Sequence, residues 1–501
     1  MNQRKLGIFI SYLNIVLQAV LGFIYVPLLL YYIGESEYGL YQLIGSFIAY
    51  FSIMDFGLTP AVIRFYTKYK AETNKVGMEN ILAISMRAYG VITVVLAVVG
   101  YIFYLQTDTI FAASMNATEI ASVKQLFLLL LFNIAFTVST MIFRAVINAH
   151  ERFLFLKGME TIQLVLQPIV IVLVLQQYPS AFTVAAVQTA LNLILTGARC
   201  YYCFAKLDMK IKFHYWDKQL FSEFKKLALS IFAVTLIDQI FFKTNQVILG
   251  IISGTTAVAV YSIASLIYMN YMALSCAISG VYLPHITEMI AKHEPMKKLS
   301  DLFIQIGRLQ YYLLALVSTG FIIFGQQFIK MWAGDSFADA YVITLLIIIP
   351  FTIDLIQNIG LSIMQAQNKY DFRAKVYACM GVLNLCLAIP LGMKFGGKGC
   401  AFATGLSMFI GNGLVMNWYY MRINGLDIKR FWREIGRISA AVVGVAVIGY
   451  VLNMTFTSPS KLIFVGKIAV YTMAYGLAMY KVCMNDMEKE KVQTIIGKIV
   501  K

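Results

Sequence analysis

Seven ionisable side chains stand inside or at the edges of long apolar runs of this 501-residue chain: Asp55, Arg64, Arg87, Asp238, Lys243, Arg308 and Asp354. An ionised group at the centre of a bilayer costs about 2.5–3.5 kcal/mol even on the lenient insertion scale, so such groups face a wet cavity, a partner or a headgroup. The segment LIDQIFFKTNQ places Asp238 and Lys243 deep in one apolar helix. Their spacing sets them about 140° apart around it, which prevents face-to-face pairing, so at least one is expected to point into a cavity. Arg87 and Arg308 each lie about two turns in from one end of their runs. Two guanidiniums so placed can hold diphosphate oxygens in bidentate fashion, the alternative being that both snorkel to the headgroups. Arg64 lies nearer that end, as do Arg144 and Arg199, and interfacial anchoring competes there with ligand binding. The candidate diphosphate-binding set is therefore Lys243, Arg87, Arg308 and Arg64. Asp55, Asp238 and Asp354 are the carboxylates for ion coupling or cavity lining, with a proton or sodium ion as the coupling species and no other cofactor implied. No nucleophile elbow, P-loop or paired acid/base motif is present, so neither an ATPase nor a membrane glycosyltransferase is indicated. The four histidines lack metal-ligand spacing.

The elements that must carry these residues follow from composition. Hydrophobic residues make up 60% of the chain and charged residues 13%, and the mean hydropathy is +0.74. That leaves too little polar surface for a soluble globule. Apolar runs of about 20 residues match a bilayer core of about 30 Å, and the alternating segments of a β-barrel are missing. The fold class is therefore all-α and polytopic, with about fourteen transmembrane helices predicted at 6–33, 40–63, 81–105, 124–147, 160–177, 182–204, 227–252, 257–281, 302–324, 339–363, 376–393, 399–420, 437–455 and 462–481. The net charge of +16 is distributed unevenly. By alternate gaps, about 30 Lys and Arg fall on the side of the N-terminus and about five on the other, which predicts both termini in the cytoplasm. Charge dispersed over short loops without a recognition motif gives no reason to expect nucleic acid as a partner.

An offset of about 220 residues brings out an internal repeat. LLLYYIGESEYGLYQLI (28–44) lies over ILGIISGTTAVAVYSIA (248–264), aligning Gly34 with Gly254 and Tyr41 with Tyr261. NAHERFLF (148–155) lies over QAQNKYDF (365–372), and the Tyr201-Tyr202 pair over Tyr419-Tyr420. The domains expected are an N-terminal lobe 1–213, a C-terminal lobe 214–436 opening with an amphipathic linker helix over 214–229, and two appended spans with a tail in 437–501. Two six-helix lobes of like orientation form a parallel repeat, which suggests a cleft of alternating access and a carrier rather than a channel.

The residues PLLLYYIGESEYGLYQL, FSIMDFGLTPAVIRFYTKYKAE, INAHERFLF and MQAQNKYDF carry a resemblance. Through them the chain resembles the Wzx-type oligosaccharide flippases of the polysaccharide transporter family, within the superfamily of multidrug/toxin (MATE) extruders and lipid II flippases. Asp55, Gly57, Leu58 and Arg64 stand where that family commonly has its D-x-G-L…R pattern. The resemblance implies a MATE-like fold in a bacterial inner membrane. It also implies transfer of an undecaprenyl-diphosphate-linked oligosaccharide to the outer leaflet, for O-antigen, capsule or a related polymer, beside a polysaccharide polymerase and glycosyltransferases. Membrane lipids are the remaining partners. The family's cavity is typically cationic; Lys243 agrees with that, and the three aspartates run against it. The rival readings are an ion-coupled multidrug or cation exporter on the same scaffold, and a non-transporting scaffold for a glycan-assembly complex.

Overall fold

The computed structural model describes residues 3–52, 55, 58–216, 218–367, 369–455, 460–486, 488–490 and 493. Among them every regular element is helical: α1 Gln3–Ser52, α2 Leu58–Ala71, α3 Lys75–Phe111, α4 Ala117–Ala149, α5 Phe153–Leu175, α6 Ala181–Lys206, α7 Lys218–Ser279, α8 Leu283–Ala291, α9 Met296–Trp332, α10 Asp339–Leu355, α11 Asn358–Ala366, α12 Tyr370–Met408, α13 Met416–Arg422, α14 Ile428–Thr455 and α15 Lys461–Ala478. Among the described residues, eleven helical stretches are long and apolar enough to cross a membrane, three of them 39, 44 and 52 residues long. Straight helices of those lengths would run to about 58–78 Å, far beyond a bilayer core.

Each of the three contains one glycine in a torsion that interrupts it: Gly34 (φ 76, ψ 177), Gly254 (φ 80, ψ −171) and Gly396 (φ 58, ψ −138). Side-chain bonds show that the chain reverses there. In α7, Asn245 Nδ2 donates to Tyr261 Oη at 2.8 Å and Gln246 Nε2 to Ser262 Oγ at 3.0 Å, although each pair is 16 residues apart. That separation spans about 24 Å in a straight helix. In α12, Thr404 Oγ1 donates to Asn384 Oδ1 at 3.2 Å across 20 residues. The first arm of α1 follows α5, with Thr161 Oγ1 donating to Asn14 Oδ1 at 2.7 Å, and the second follows α6, with Tyr41 Oη donating to Gln188 Oε1 at 2.8 Å. Since α5 and α6 run oppositely, the two arms do too. Counting both arms of the three reversing helices gives the fourteen membrane-crossing segments the hydropathy predicts.

Several predicted spans differ in detail. The second covers the described end of α1 at Ser52 and the start of α2 at Leu58, and Asp55 between them is not α-helical. The tenth is divided between α10 and α11. Residues 207–216 are irregular, and most of the linker predicted over 214–229 falls in the start of α7, which is helical from Lys218 to the Gly254 interruption.

The chain divides into two compact units, Met1–Ser262 with Gly392–Gly397, and Ile263–Leu391 with Lys398–Lys501. In the first, the second arm of α1 lies so close against α7 that a Cβ on Gly39 would stand 1.9 Å from the Thr255 carbonyl oxygen. Hydrogen bonds of Ser46 to Gln246 and Tyr50 to Thr244 continue this seam. In the second, α14 and α15 pack on α9 through a core that includes Tyr312, Phe324, Val442, Phe464 and Tyr471.

The repeat is also written in ring geometry. Phe155 stacks on Tyr202 at 4.0 Å and 12°, and Phe372 stacks on Tyr419 at 4.0 Å and 11°. Tyr202 is therefore the counterpart of Tyr419, one residue from the alignment that set Tyr201 over Tyr419.

Candidate functional site

Lys243 lies in the first arm of α7, eleven residues before the Gly254 interruption and within the membrane-crossing stretch Gln239–Tyr282. It is half-buried, and among the described residues its ammonium has no hydrogen-bond or ion-pair partner. The three residues after it are all engaged: Thr244 with Tyr50, Asn245 with Tyr261, and Gln246 with Ser46 and Ser262. The backbone carrying the lysine is thus fixed, while the charge itself has no counter-ion among the described residues. The backbone of Asp238 belongs to the same helix; its side chain, and Gly57 of the D-x-G-L pattern, lie outside the described residues.

Asp55 has a different setting. One carboxylate oxygen accepts from Thr59 Oγ1 at 3.0 Å and Tyr89 Oη at 3.1 Å, and the other faces the Thr59 backbone N–H at 3.4 Å. The carboxylate caps the first turn of α2 and ties it to α3. The corresponding place in the second copy holds an uncharged version, with Gln310 Nε2 donating to Ser275 Oγ at 2.9 Å and Ser279 Oγ to the Ser275 carbonyl at 3.2 Å. A charge that the second copy replaces with a hydroxyl in the same framework is holding helices together.

Arg87 and Arg308, paired by the repeat, sit in unlike surroundings. Arg87 is exposed, its guanidinium 3.8 Å from the Phe213 ring centroid, and Arg64 is exposed on α2. Arg308 is 7% exposed. Its Nε donates to Glu488 Oε1 at 2.8 Å, Nη1 to Glu434 Oε2 at 2.5 Å, and Nη2 to Glu488 Oε2, the Cys483 carbonyl and Tyr312 Oη at 2.8, 2.8 and 2.9 Å. With four of five N–H donors so engaged, the Arg308 guanidinium presents no free fork in this arrangement.

Asp354, in the last turn of α10, stands 3.9 Å from Arg373 Nη2. Arg373 also donates to Asn412, which lies in a π-helical turn at Phe409–Val415, and lies over the Tyr377 ring at 4.8 Å. Sequence reasoning missed Arg373 because α12 starts at Tyr370, six residues before the predicted span, so what reads as a loop cation is a buried one. It also missed Glu160, whose two oxygens accept from Arg144 Nη2 at 2.6 Å and Lys157 Nζ at 2.8 Å. Among the described residues no cluster of three or more His, Cys, Asp or Glu is arranged to hold a metal ion.

A family model described as "Polysaccharide biosynthesis protein" matches residues 5–290, more than half of the chain. No curated protein matches it. Among solved structures, the lipid II flippase MurJ in an inward closed conformation is similar with a TM-score of 0.74 at 16% identity, covering 94% of this chain and 97% of that one. An inward-facing multidrug resistance MATE family transporter of the MOP superfamily gives 0.65 at 13% identity over 83% and 95%. A MOP superfamily transporter from Pyrococcus furiosus, described as having a binding pocket of reversed polarity, gives 0.54 at 11% over 84% and 94%. At these identities the likeness establishes a MurJ/MATE-like fold.

Proposed function

The chain belongs to the polysaccharide biosynthesis protein family, and on that footing we propose that it is a flippase for a lipid-linked oligosaccharide. The substrate in this reading is an undecaprenyl-diphosphate-linked oligosaccharide, carried by alternating access from the cytoplasmic to the outer leaflet of a bacterial plasma membrane for O-antigen, capsule or a related polymer. A glycan left bare in hydrocarbon loses the hydrogen bonds of every hydroxyl, at several kcal/mol each, while its polyprenyl tail can remain in lipid. The protein therefore has to shelter the headgroup alone.

The observation that carries the reading is Lys243, a half-buried ammonium within a span and without a counter-ion among the described residues. A lipid diphosphate supplies the missing charge. Arg87 and Arg64, both exposed, remain available to the same anion. Asp354, only loosely paired with Arg373, is the carboxylate assigned to coupling with a proton or sodium ion, since Asp55 is engaged in capping. The fit is poor for a cation exporter: neither Asp55 nor Asp354 stands as an unpartnered carboxylate.

The test is export of the surface polymer in cells carrying Lys243→Ala or Lys243→Glu at native expression. A hydrogen bond to a charged group contributes about 1.5–3 kcal/mol, so a loss of about tenfold or more is expected from the alanine and a larger one from the glutamate. Normal export by both variants would remove the lysine from the phosphate site.

A further inference from the structure

In the first unit a groove of about 340 Å³ runs between the first arm of α1 and α5. Gln18 and Tyr25 line it from α1, and Glu160, Gln163 and Gln167 from α5. Both helices follow from the sequence: Asn14, Gln18 and Tyr25 recur on one face of an otherwise apolar run, and Glu160, Gln163 and Gln167 do the same in α5. Polar side chains on an apolar span are costly unless something pairs with them. Among the described residues the carboxamides of Gln18, which is exposed, and of Gln163 and Gln167, which are half-buried, form no hydrogen bond. Three neutral donor–acceptor groups therefore line one small space beside Tyr25.

The chemistry of a ligand suited to this groove follows by elimination. A lipid chain would leave all three carboxamides unpaired. An organic cation would need a free carboxylate, and both oxygens of Glu160 are already taken by Arg144 and Lys157. A diphosphate would need a cation in the lining, and none is present there. A pyranose ring satisfies every requirement. Each carboxamide donates to one hydroxyl and accepts from its neighbour, and Leu21, Leu164 and Pro168 offer apolar surface to the ring's C–H face. The volume lies near the lower end of small-ligand pockets, about 300–1,000 Å³, which suits one sugar unit rather than a whole repeat.

We propose that this groove binds one uncharged sugar ring of the lipid-linked headgroup. The proposal rests on the flippase reading and adds to it a place where the glycan, as distinct from the diphosphate, is recognised. Its test is binding of two probes, undecaprenyl-diphosphate-N-acetylglucosamine and undecaprenyl diphosphate without sugar, to the full chain in nanodiscs. Wild type should prefer the glycosylated lipid by about tenfold, the equivalent of one to two net hydrogen bonds. Gln163→Leu/Gln167→Leu should erase that preference, and Gln18→Leu should reduce it, while each variant keeps its affinity for the sugar-free lipid within about twofold. Retained preference in the double variant, or parallel loss of affinity for both lipids, overturns the groove's role. Wild type that binds neither lipid overturns the flippase reading itself.

Discussion

At Arg308 five acceptors on four residues converge on one guanidinium, and its removal leaves Glu488 without a cation and Glu434 with Arg437 at 3.6 Å. Breaking a buried ion pair by deleting one partner costs about 3–5 kcal/mol, so Arg308→Ala is expected to lower the melting temperature of the purified protein by several degrees. Arg87→Ala, at an exposed position over Phe213, should leave it nearly unchanged; equal melting of the two variants would contradict these assignments. The sequence revealed that the two arginines correspond, and nothing in it could separate them, because the two carboxylates that engage Arg308 lie 126 and 180 residues away. Another residue with hidden partners is His150, at the end of α4 beside Tyr66. Burial, then the charges of Lys70 and Arg152, push its pKa from 6.5 down to about 4. Its folded pKa is depressed, so between pH 6.5 and 4 the unfolded chain binds a proton that the folded chain refuses, and stability falls as pH drops through that window. His150→Gln should flatten this part of the stability profile, measured as melting temperature against pH. An unaltered slope would show that other groups dominate it.

Among the elements, the glycine reversals make the sharpest demand on sequence. Gly34 and Gly254 occupy a region of φ/ψ that is open essentially to glycine alone, where another residue costs about 1–3 kcal/mol. A Cβ at Gly254 would in addition lie 2.8 Å from the Ser114 carbonyl oxygen, whereas one at Gly34 meets nothing within 4 Å. Destabilisation should therefore run Gly254→Ala, then Gly34→Ala, then Gly45→Ala, which lies within a helical arm with open space around it. Melting temperatures in one detergent would establish the order, and Gly34→Ala melting with wild type would refute the strain argument. Hydropathy made the fourteen segments legible because twenty apolar residues have one use in water-excluded surroundings. It left illegible how they join. A reversal at a single glycine has no polar loop to announce it, and the tie of Asp55 to Thr59 and Tyr89 joins residues on different helices. The π-helical turn that carries Asn412 to Arg373 likewise leaves no mark on periodicity. The α1/α5 groove stayed hidden for a further reason: glutamines carry no formal charge, and a search for costly charges passes over them.

For the whole molecule, the same arithmetic that counts the segments assigns every loop to one of two sides. Starting from the N-terminus, each crossing or glycine reversal changes side, so the loops 72–74, 150–152, 207–216, 292–295 and 423–427 share the side of both termini. Those at 112–116, 176–180 and 333–334 take the opposite one. The first group carries Lys68, Lys70, Lys75, Lys206, Lys210, Lys212, Lys429 and Arg430, and the second little beyond Lys124 and Lys330, the bias expected where the first side is cytoplasmic. The helix count rests on backbone reversals and the charge count on side-chain type, and together they make cytoplasmic termini the expectation. A direct check is a set of alkaline phosphatase fusions, active only outside the cytoplasm, placed after Lys210, Lys292 and Gly425 in the first group and after Ser114, Gln177 and Gly334 in the second. The first three should be inactive and the last three active, with the opposite pattern for a fluorescent protein that matures only in the cytoplasm. Activity after Lys210 but not after Lys292 would place the error between those positions, in the Gly254 reversal of α7, whose arms are tied by Asn245 to Tyr261 and Gln246 to Ser262. Activity throughout the first group would invert the chain and turn Lys243 towards a lipid-linked sugar arriving from the outer leaflet, a direction that export of a polymer precursor does not need.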